Sequence, residues 1–321
     1  MASIAEAIRK PDPADGPRFA RVTPDRQREA LGLLLNGHAS PRDPTVQPFL
    51  DYANQQQLAL DELWVAQEHG KLQAAVLIVP CPGRSAMLFC SPATSWPDTE
   101  LTVELLRTAC EAQSPDALRL IQCLLDPPHR RLAGVLRDAG FWDLATLKYM
   151  QRRIDRRPAP RAAQLLPDYR LHRWTDAHRD RFARAILASY EQTLDCPDLR
   201  GVRTIDDVIA GHQAAGTFRP EMWLAVYDHD HPVAVMLIND VGHIDACELV
   251  YLGIALPYRG RGLGKQLVEH GIDLAHARGR TSMILAVDER NEPAMRLYRS
   301  AGFRETATKR AMVRTIESRP D

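Results

Sequence analysis

Two rhythms of apolar and polar positions succeed each other along this chain, and the succession occurs twice. Residues 62–79, "ELWVAQEHGKLQAAVLIV", and 221–238, "EMWLAVYDHDHPVAVMLI", are each a β-rich run, a polar turn and a second β-rich run, with Trp64 and Trp223 in equivalent places. That pattern predicts one hairpin in each half. The "DHDH" at 228–231 falls between two such runs, so it reads as a hairpin turn rather than a metal cluster. The run "ELVYLGIAL" (248–256) reads as a buried strand. Beyond it, Leu267, Val268, Gly271, Ile272, Leu274 and Ala275 recur at helical spacing within 263–278, and Gly279 is a natural helix stop. Further self-similarity pairs "AGFWDLATLKYMQR" (139–152) with "AGFRETATKRAMVR" (301–314), identical at seven of fourteen positions. The offsets between the halves, 159 and 162 residues, nearly agree, and "ARVTPDRQ" (20–27) faintly echoes "HRWTDAHR" (172–179).

Each half therefore reads as strand, helices, a hairpin of two strands, a third strand, a helix, a strand, a helix and a last strand or strand pair. This mixture implies an α/β or α+β sheet layered with helices. Between the halves, "RRIDRRPAPRAAQLLPDYR" (152–170) is rich in arginine and proline and has no apolar period, which is linker composition. The boundary is expected near residue 158, giving domains at 1–157 and 158–321.

At 321 residues the chain is long enough for two cores. Lysine plus arginine balances aspartate plus glutamate, 41 against 41, so no global field recruits nucleic acid or an anionic membrane. Any anion site has to be local. Apolar runs such as "AAVLIV" (74–79) fall far short of the roughly 20 residues that a membrane span needs. The opening "MASIAEAIRKPDPADG" has no hydrophobic core of the secretory kind, and a cytoplasmic location is expected. Six cysteines without a C-x-x-C pair fit reduced, packed thiols better than disulfides or zinc, and no metal site is expected.

Local chemistry concentrates in "RGRGLGK", Arg259, Gly260, Arg261, Gly262, Leu263, Gly264 and Lys265, set between the apolar strand and the predicted helix. Glycines let successive N–H groups converge on phosphate oxygens, and a helix N-terminus favours an anion. A phosphate or pyrophosphate is the expected partner. A P-loop fails, because Gln266 follows Gly264-Lys265 where Ser or Thr is needed and position 259 is Arg. The G-x-G-x-x-G dinucleotide fingerprint fails as well, because Lys265 stands three residues after Gly262. The corresponding stretch of the first half has no glycine between Gly83 and Gly134, so that half can keep the fold without the anion site.

What does fit is Arg259-x-x-Gly262-x-Gly264 after a strand and opening a helix, which resembles the pyrophosphate signature of the GNAT superfamily of N-acetyltransferases. The likeness extends to "MILAVDERNEPAMRLYRSAGF", where Asn291, Ala294, Leu297, Tyr298, Gly302 and Phe303 follow that family's next strand and helix. It covers residues 168–315 and, through the repeat, makes the first half a degenerate copy, an organisation similar to that of mycothiol synthase. The resemblance implies two tandem GNAT-like domains, each a mixed, mostly antiparallel sheet flanked by helices, with splayed parallel strands at the cofactor site. It further implies that acetyl-CoA lies along Leu252, Gly253, Ile254, Ala255 and Leu256, with its pyrophosphate on residues 259–265 and a contact from Asn291.

Tyr298 falls where the family places its general acid, and a phenol is protonated at neutral pH. Its bland alternative is a packed helix tyrosine, and for Asn291 it is a plain helix cap. Glu248 interrupts an otherwise apolar strand and is the candidate base, a solvated face or a merely positioning contact being the alternatives. Acceptor recognition is expected in 189–207, the least repetitive segment, through Tyr190, Glu191, Asp195 and Arg203, a plain helix connection being the alternative. The expected activity is acetyl transfer from acetyl-CoA to a small-molecule or peptide amine by the second half, in a monomer or homodimer. A non-catalytic acyl-CoA-binding module and an acyltransferase for longer chains are the competing readings.

Overall fold

The computed structural model describes residues 16–316 apart from 97, 128, 155–165, 167 and 243. The expected linker boundary near residue 158 lies outside the described residues. The first half runs β1 (Arg18–Arg21), α1 (Gln27–Asn36), α2 (Val46–Gln55), β2 (Leu63–Glu68), β3 (Lys71–Cys81), β4 (Ser85–Cys90), α3 (Thr99–Glu111), β5 (Leu120–Leu125), α4 (Arg130–Asp138) and β6 (Trp142–Arg153). The second repeats it as β7 (Arg170–Arg173), α5 (Arg179–Ser189), α6 (Ile205–Ala214), β8 (Leu224–Asp228), β9 (His231–Val241), β10 (Ala246–Ile254), α7 (Leu263–Ala277), β11 (Ser282–Asp288), α8 (Glu292–Ser300) and β12 (Arg304–Thr315). The expected element order holds in both halves, and the "DHDH" segment turns β8 into β9.

Central strands are buried on both faces because helices cover both. In β9 every residue from Val233 to Asp240 is buried. One layer beneath it holds α7 and α8, whose inward residues include Leu267, Val268, Ile272 and Met295. The opposite layer packs Phe182 and Ile186 of α5 and Ile209 of α6 with Trp174 and Trp223. On α7 the buried residues are Leu263, Gly264, Leu267, Val268, Gly271, Ile272 and Ala275, the one-sided stripe that the sequence spacing predicts.

All twelve strands form a single sheet in the order β1-β2-β3-β4-β5-β12-β6-β11-β10-β9-β8-β7. Two pairs, β4 with β5 and β10 with β11, are parallel, and the remaining pairs are antiparallel. The order contains a strand exchange. β6, from the first half, pairs with β11 of the second, and β12, from the second, pairs with β5 of the first. The two exchanged strands then pair with each other about a pseudo-twofold, Gln151 opposite Arg304 at one end and Trp142 opposite Val313 at the other. Their irregularities obey the same symmetry: Leu144 and Thr306, equivalent in the repeat, are the residues left over where the register shifts.

Candidate active site

Strands β10 and β11 part early. Only Ala246, Cys247 and Glu248 pair with Ser282, Met283 and Ile284, although both strands run on for several residues. A register shift in β10 between Leu249 and Tyr251, against β9, sits just where the parting begins. Beyond the shift Ala255 donates to Val233 O at 2.9 Å. Antiparallel alternation then aims the N–H and C=O groups of Leu252 and Ile254 away from β9, into the gap. A cavity of about 390 Å³ occupies this opening, with Leu252, Gly253, Ile254, Ala286 and Val287 among its walls.

At one end of the cavity lies the glycine loop. Gly260 and Gly262 have φ of 75° and 80°, and an added Cβ at either would meet nothing within 4 Å. Glycine is needed there for the left-handed backbone and not for space. Gly262 caps α7, whose first bond runs from Gln266 N–H to Gly262 O at 3.3 Å. The N–H groups of Leu263, Gly264 and Lys265 precede that bond, so the helix has none of its own carbonyls to offer them. This mouth suits a phosphate or pyrophosphate oxygen. Lys265 and Arg261 flank it; Arg261 lies 5.1 Å over the Tyr258 ring and donates to Pro257 O at 2.8 Å.

Arg259 has a task that the motif does not announce. Its guanidinium donates to four main-chain oxygens: Ile254 at 2.9 Å, Gln192 at 3.0 Å, Ser189 at 3.0 Å and Glu191 at 2.7 Å. The side chain thus binds the end of α5 to the end of β10. Beside it Ser189 Oγ donates to Ile186 O at 2.7 Å, which leaves Tyr251 as the donor in the 2.7 Å contact between its hydroxyl and that Oγ. Tyr251 also stacks on the half-buried His212 with ring centroids 5.3 Å apart.

Tyr298 is buried on α8 with its ring edge-on to Phe303 at 5.8 Å and lines the cavity. Burial, with Asp195 nearby, holds its phenol well above the ordinary tyrosine range. Asn291 does both things the sequence allows, since it accepts from Ala294 N–H at 3.3 Å as the cap of α8 and also lines the cavity. Glu248 stands on the neighbouring row of β10, outside the cavity wall, and burial raises its carboxyl above the usual value.

Among the acceptor candidates, Asp195 alone lines the cavity. Its carboxylate accepts Asp288 N–H at 3.2 Å, and burial pushes its pKa up. The Cys196 N–H in turn donates to Asp288 Oδ2 at 3.3 Å, which pins the loop to the end of β11. Tyr190 packs edge-on against Tyr251 at 5.9 Å, and burial pushes its phenol up to about 12. Glu191 is exposed and contributes its carbonyl to Arg259. Arg203, near the end of the loop, donates to Asp207 O at 2.5 Å. Ser189, Gln192, Thr193, Leu194 and Tyr251 line the cavity without having been singled out from the sequence. Their one sequence signal is that the first four fall in or beside the unrepeated segment.

The first half reaches this site. Arg84, in the turn between β3 and β4, grips the Asp207 carboxylate of α6 through Nε at 2.9 Å and Nη2 at 2.7 Å. Neighbouring Gly83 is so close that an added Cβ would lie 2.0 Å from Asp207 O. Cys196, Leu199 and Val202 pack on Leu120, Leu144, Ala145, Ala311 and Val313. In the first half's own copy of the cleft region, Trp96 is buried in the core with Leu88 and Cys123 and donates to Ser91 Oγ at 2.9 Å.

With this geometry in hand, the comparisons with known proteins are informative. The acetyltransferase (GNAT) family profile matches residues 193–303. A peptidyl-lysine N-acetyltransferase of Salmonella typhimurium is 40% identical over 91 residues, which are 28% of this chain and 55% of that protein. A mycothiol acetyltransferase of Renibacterium salmoninarum is 44% identical over 62 residues, 19% of this chain and 18% of that protein. The chain thus spans about half the length of the first relative and much less of the second. Over the whole chain, a GCN5-related N-acetyltransferase from Sphaerobacter thermophilus superposes with a TM-score of 0.60 at 16% identity, covering 95% of this chain and 97% of that one. That likeness shows the shared fold. The glycine loop at the mouth of α7 and the parted strands beside it lie within the stretch that matches the acetyltransferase (GNAT) profile, and the chain as a whole, built as two copies of one fold, has the fold of that GCN5-related N-acetyltransferase.

Proposed function

We propose that the second half, within 158–321, transfers an acetyl group from acetyl-CoA directly to an amine, and that the first half, within 1–157, is a degenerate copy with a structural part. The observation that carries this reading is the meeting of three features in one cavity: the free edge of β10, the first turn of α7 and the phenol of Tyr298. They fit the arm, the diphosphate and the thioester sulfur of acetyl-CoA in that order. When bound, acetyl-CoA offers an acyl carbon activated by its thioester.

The chain's own groups do the rest. The main chain of Leu252 and Ile254 receives the amide-bearing arm as an added strand. An N–H in this stretch polarises the acyl carbonyl, a contribution worth about 3 kcal/mol where a single donor has been removed elsewhere. As the amine nitrogen bonds to the acyl carbon, the carbon–sulfur bond breaks and Tyr298 gives its phenolic proton to the sulfur. Glu248 takes the proton that the amine gives up, through a bridging water because its carboxyl stands outside the cavity wall. The relative acting on peptidyl lysine supports a primary amine as acceptor.

Purified protein incubated with acetyl-CoA and a panel of primary amines is expected to release free thiol. Tyr298→Phe is expected to lower kcat by about 10²-fold or more, with CoA affinity by calorimetry unchanged. Unchanged kcat in that variant would remove Tyr298 from the role. Tight CoA binding without turnover on any amine would favour a non-catalytic binding module.

A further inference from the structure

We propose that the acceptor site of the second half is completed by the first, with Tyr149 of the exchanged strand β6 as a binding residue for the amine. The proposal rests on the acetyl-transfer reading. In β11, Met283, Leu285 and Val287 enter the core beneath α7 and α8, as does Met150 of β6. Alternation along the strands therefore turns Ala286 and its register partner Tyr149 to the opposite face. Ala286 lines the cavity, so Tyr149 stands directly beside it. On its other side Tyr149 is opposite Ala307, and both alanines are exposed. No bulky neighbour in the row covers the ring. Glu248 belongs to the adjoining row on the same face, opposite Ile284, whose partner on β6 is Gln151. Among the described residues no side chain hydrogen-bonds to the Tyr149 hydroxyl. Burial and the nearby Glu248 carboxylate keep that phenol protonated, hence a donor.

The repeat contains its own control. Ala311 and Val313 of β12 occupy the positions equivalent to Tyr149 and Gln151, and both are buried under Cys196, Leu199 and Val202 of the acceptor loop. That loop, residues 190–204 between α5 and α6, has fifteen residues, whereas residues 37–45 between α1 and α2 number nine. One half's groove is thus filled by the longer connection and lined with apolar side chains, while the other stays open and polar. The fold requires no tyrosine at this strand position. An aromatic face beside a carboxylate suits a protonated primary amine carried on a flexible arm, which is drawn to both.

The test is steady-state kinetics of Tyr149→Ala and Tyr149→Phe with whichever of three probes, an alkylamine, a free amino acid or a lysine-bearing peptide, the unmodified protein acetylates best. Tyr149→Ala is expected to raise the KM for that amine about tenfold or more with kcat within about twofold. Tyr149→Phe is expected to fall between it and the unmodified protein. The KM for acetyl-CoA and calorimetric CoA binding stay unchanged in both. An unaltered amine KM in Tyr149→Ala overturns the proposal, and so does a parallel loss of CoA affinity, which would mark a fold effect. Absence of turnover in the unmodified protein would instead defeat the acetyl-transfer reading itself.

Discussion

Glu248 is held back from ionising by its surroundings, since burial alone raises its carboxyl above the usual range. A base must be unprotonated, so kcat/KM is expected to rise with pH through this raised value, above the ~4.3 of an ordinary glutamate. In Glu248→Gln that limb should vanish and the rate fall about 10²-fold or more, leaving only the limb set by the acceptor amine itself. A pH–rate profile with the limb intact would show that another group takes the proton. Residues of this kind were legible to unequal degrees. That the glycines of 260–264, Asn291 and Tyr298 would gather at one cavity could be read because the motifs that carry them are contiguous segments. Tyr149 could not, because sheet register alone brings it beside Ala286. Nor could the commitment of the Arg259 side chain to the carbonyls of residues 189–192, since nothing in the motif indicates which carbonyls lie within reach.

Among the elements, the turn between β3 and β4 meets helix α6, which follows directly on the loop 190–204. Foremost the hydrogen bonds from Arg84, then those from Thr204, hold the Asp207 carboxyl far below the usual carboxylate range. Because its folded value is depressed, Asp207 stabilises the fold fully above the unfolded value of ~3.9 and loses that contribution as pH falls below it. Arg84→Ala should therefore lower stability at pH 7 and narrow the gap between stabilities measured at pH 7 and pH 3 by urea titration. An unchanged gap would show that Asp207 is held by Thr204 alone. The same variant should raise the amine KM more than the acetyl-CoA KM, because α6 ends the acceptor loop and the glycine loop lies elsewhere. The repeat gave the order of the elements here, yet it gave no sign that Arg84 would meet Asp207, a pair 123 positions apart.

For the whole molecule, the exchange of β6 and β12 decides what can stand alone. The fourteen-residue likeness that revealed the repeat also hid the exchange, since two strands of similar pattern offer the same alternation to either half's edge. Produced without the first half, the second would leave the edge of β11 from Ser282 to Asp288 unpaired. Such an edge invites association. Separate halves are expected to be insoluble or self-associated on size exclusion, and to recover a defined 1:1 species and CoA binding when made together. A monodisperse, CoA-binding second half would show the exchanged strand to be dispensable.

The first half has kept its β-strands while carrying none of the glycines that form the loop before α7. For the gene this means that the glycines of one copy can be replaced while its exchanged strand still has a partner to cover. Any shortening that discards the first half also discards the strand against which the half with the glycine loop is closed.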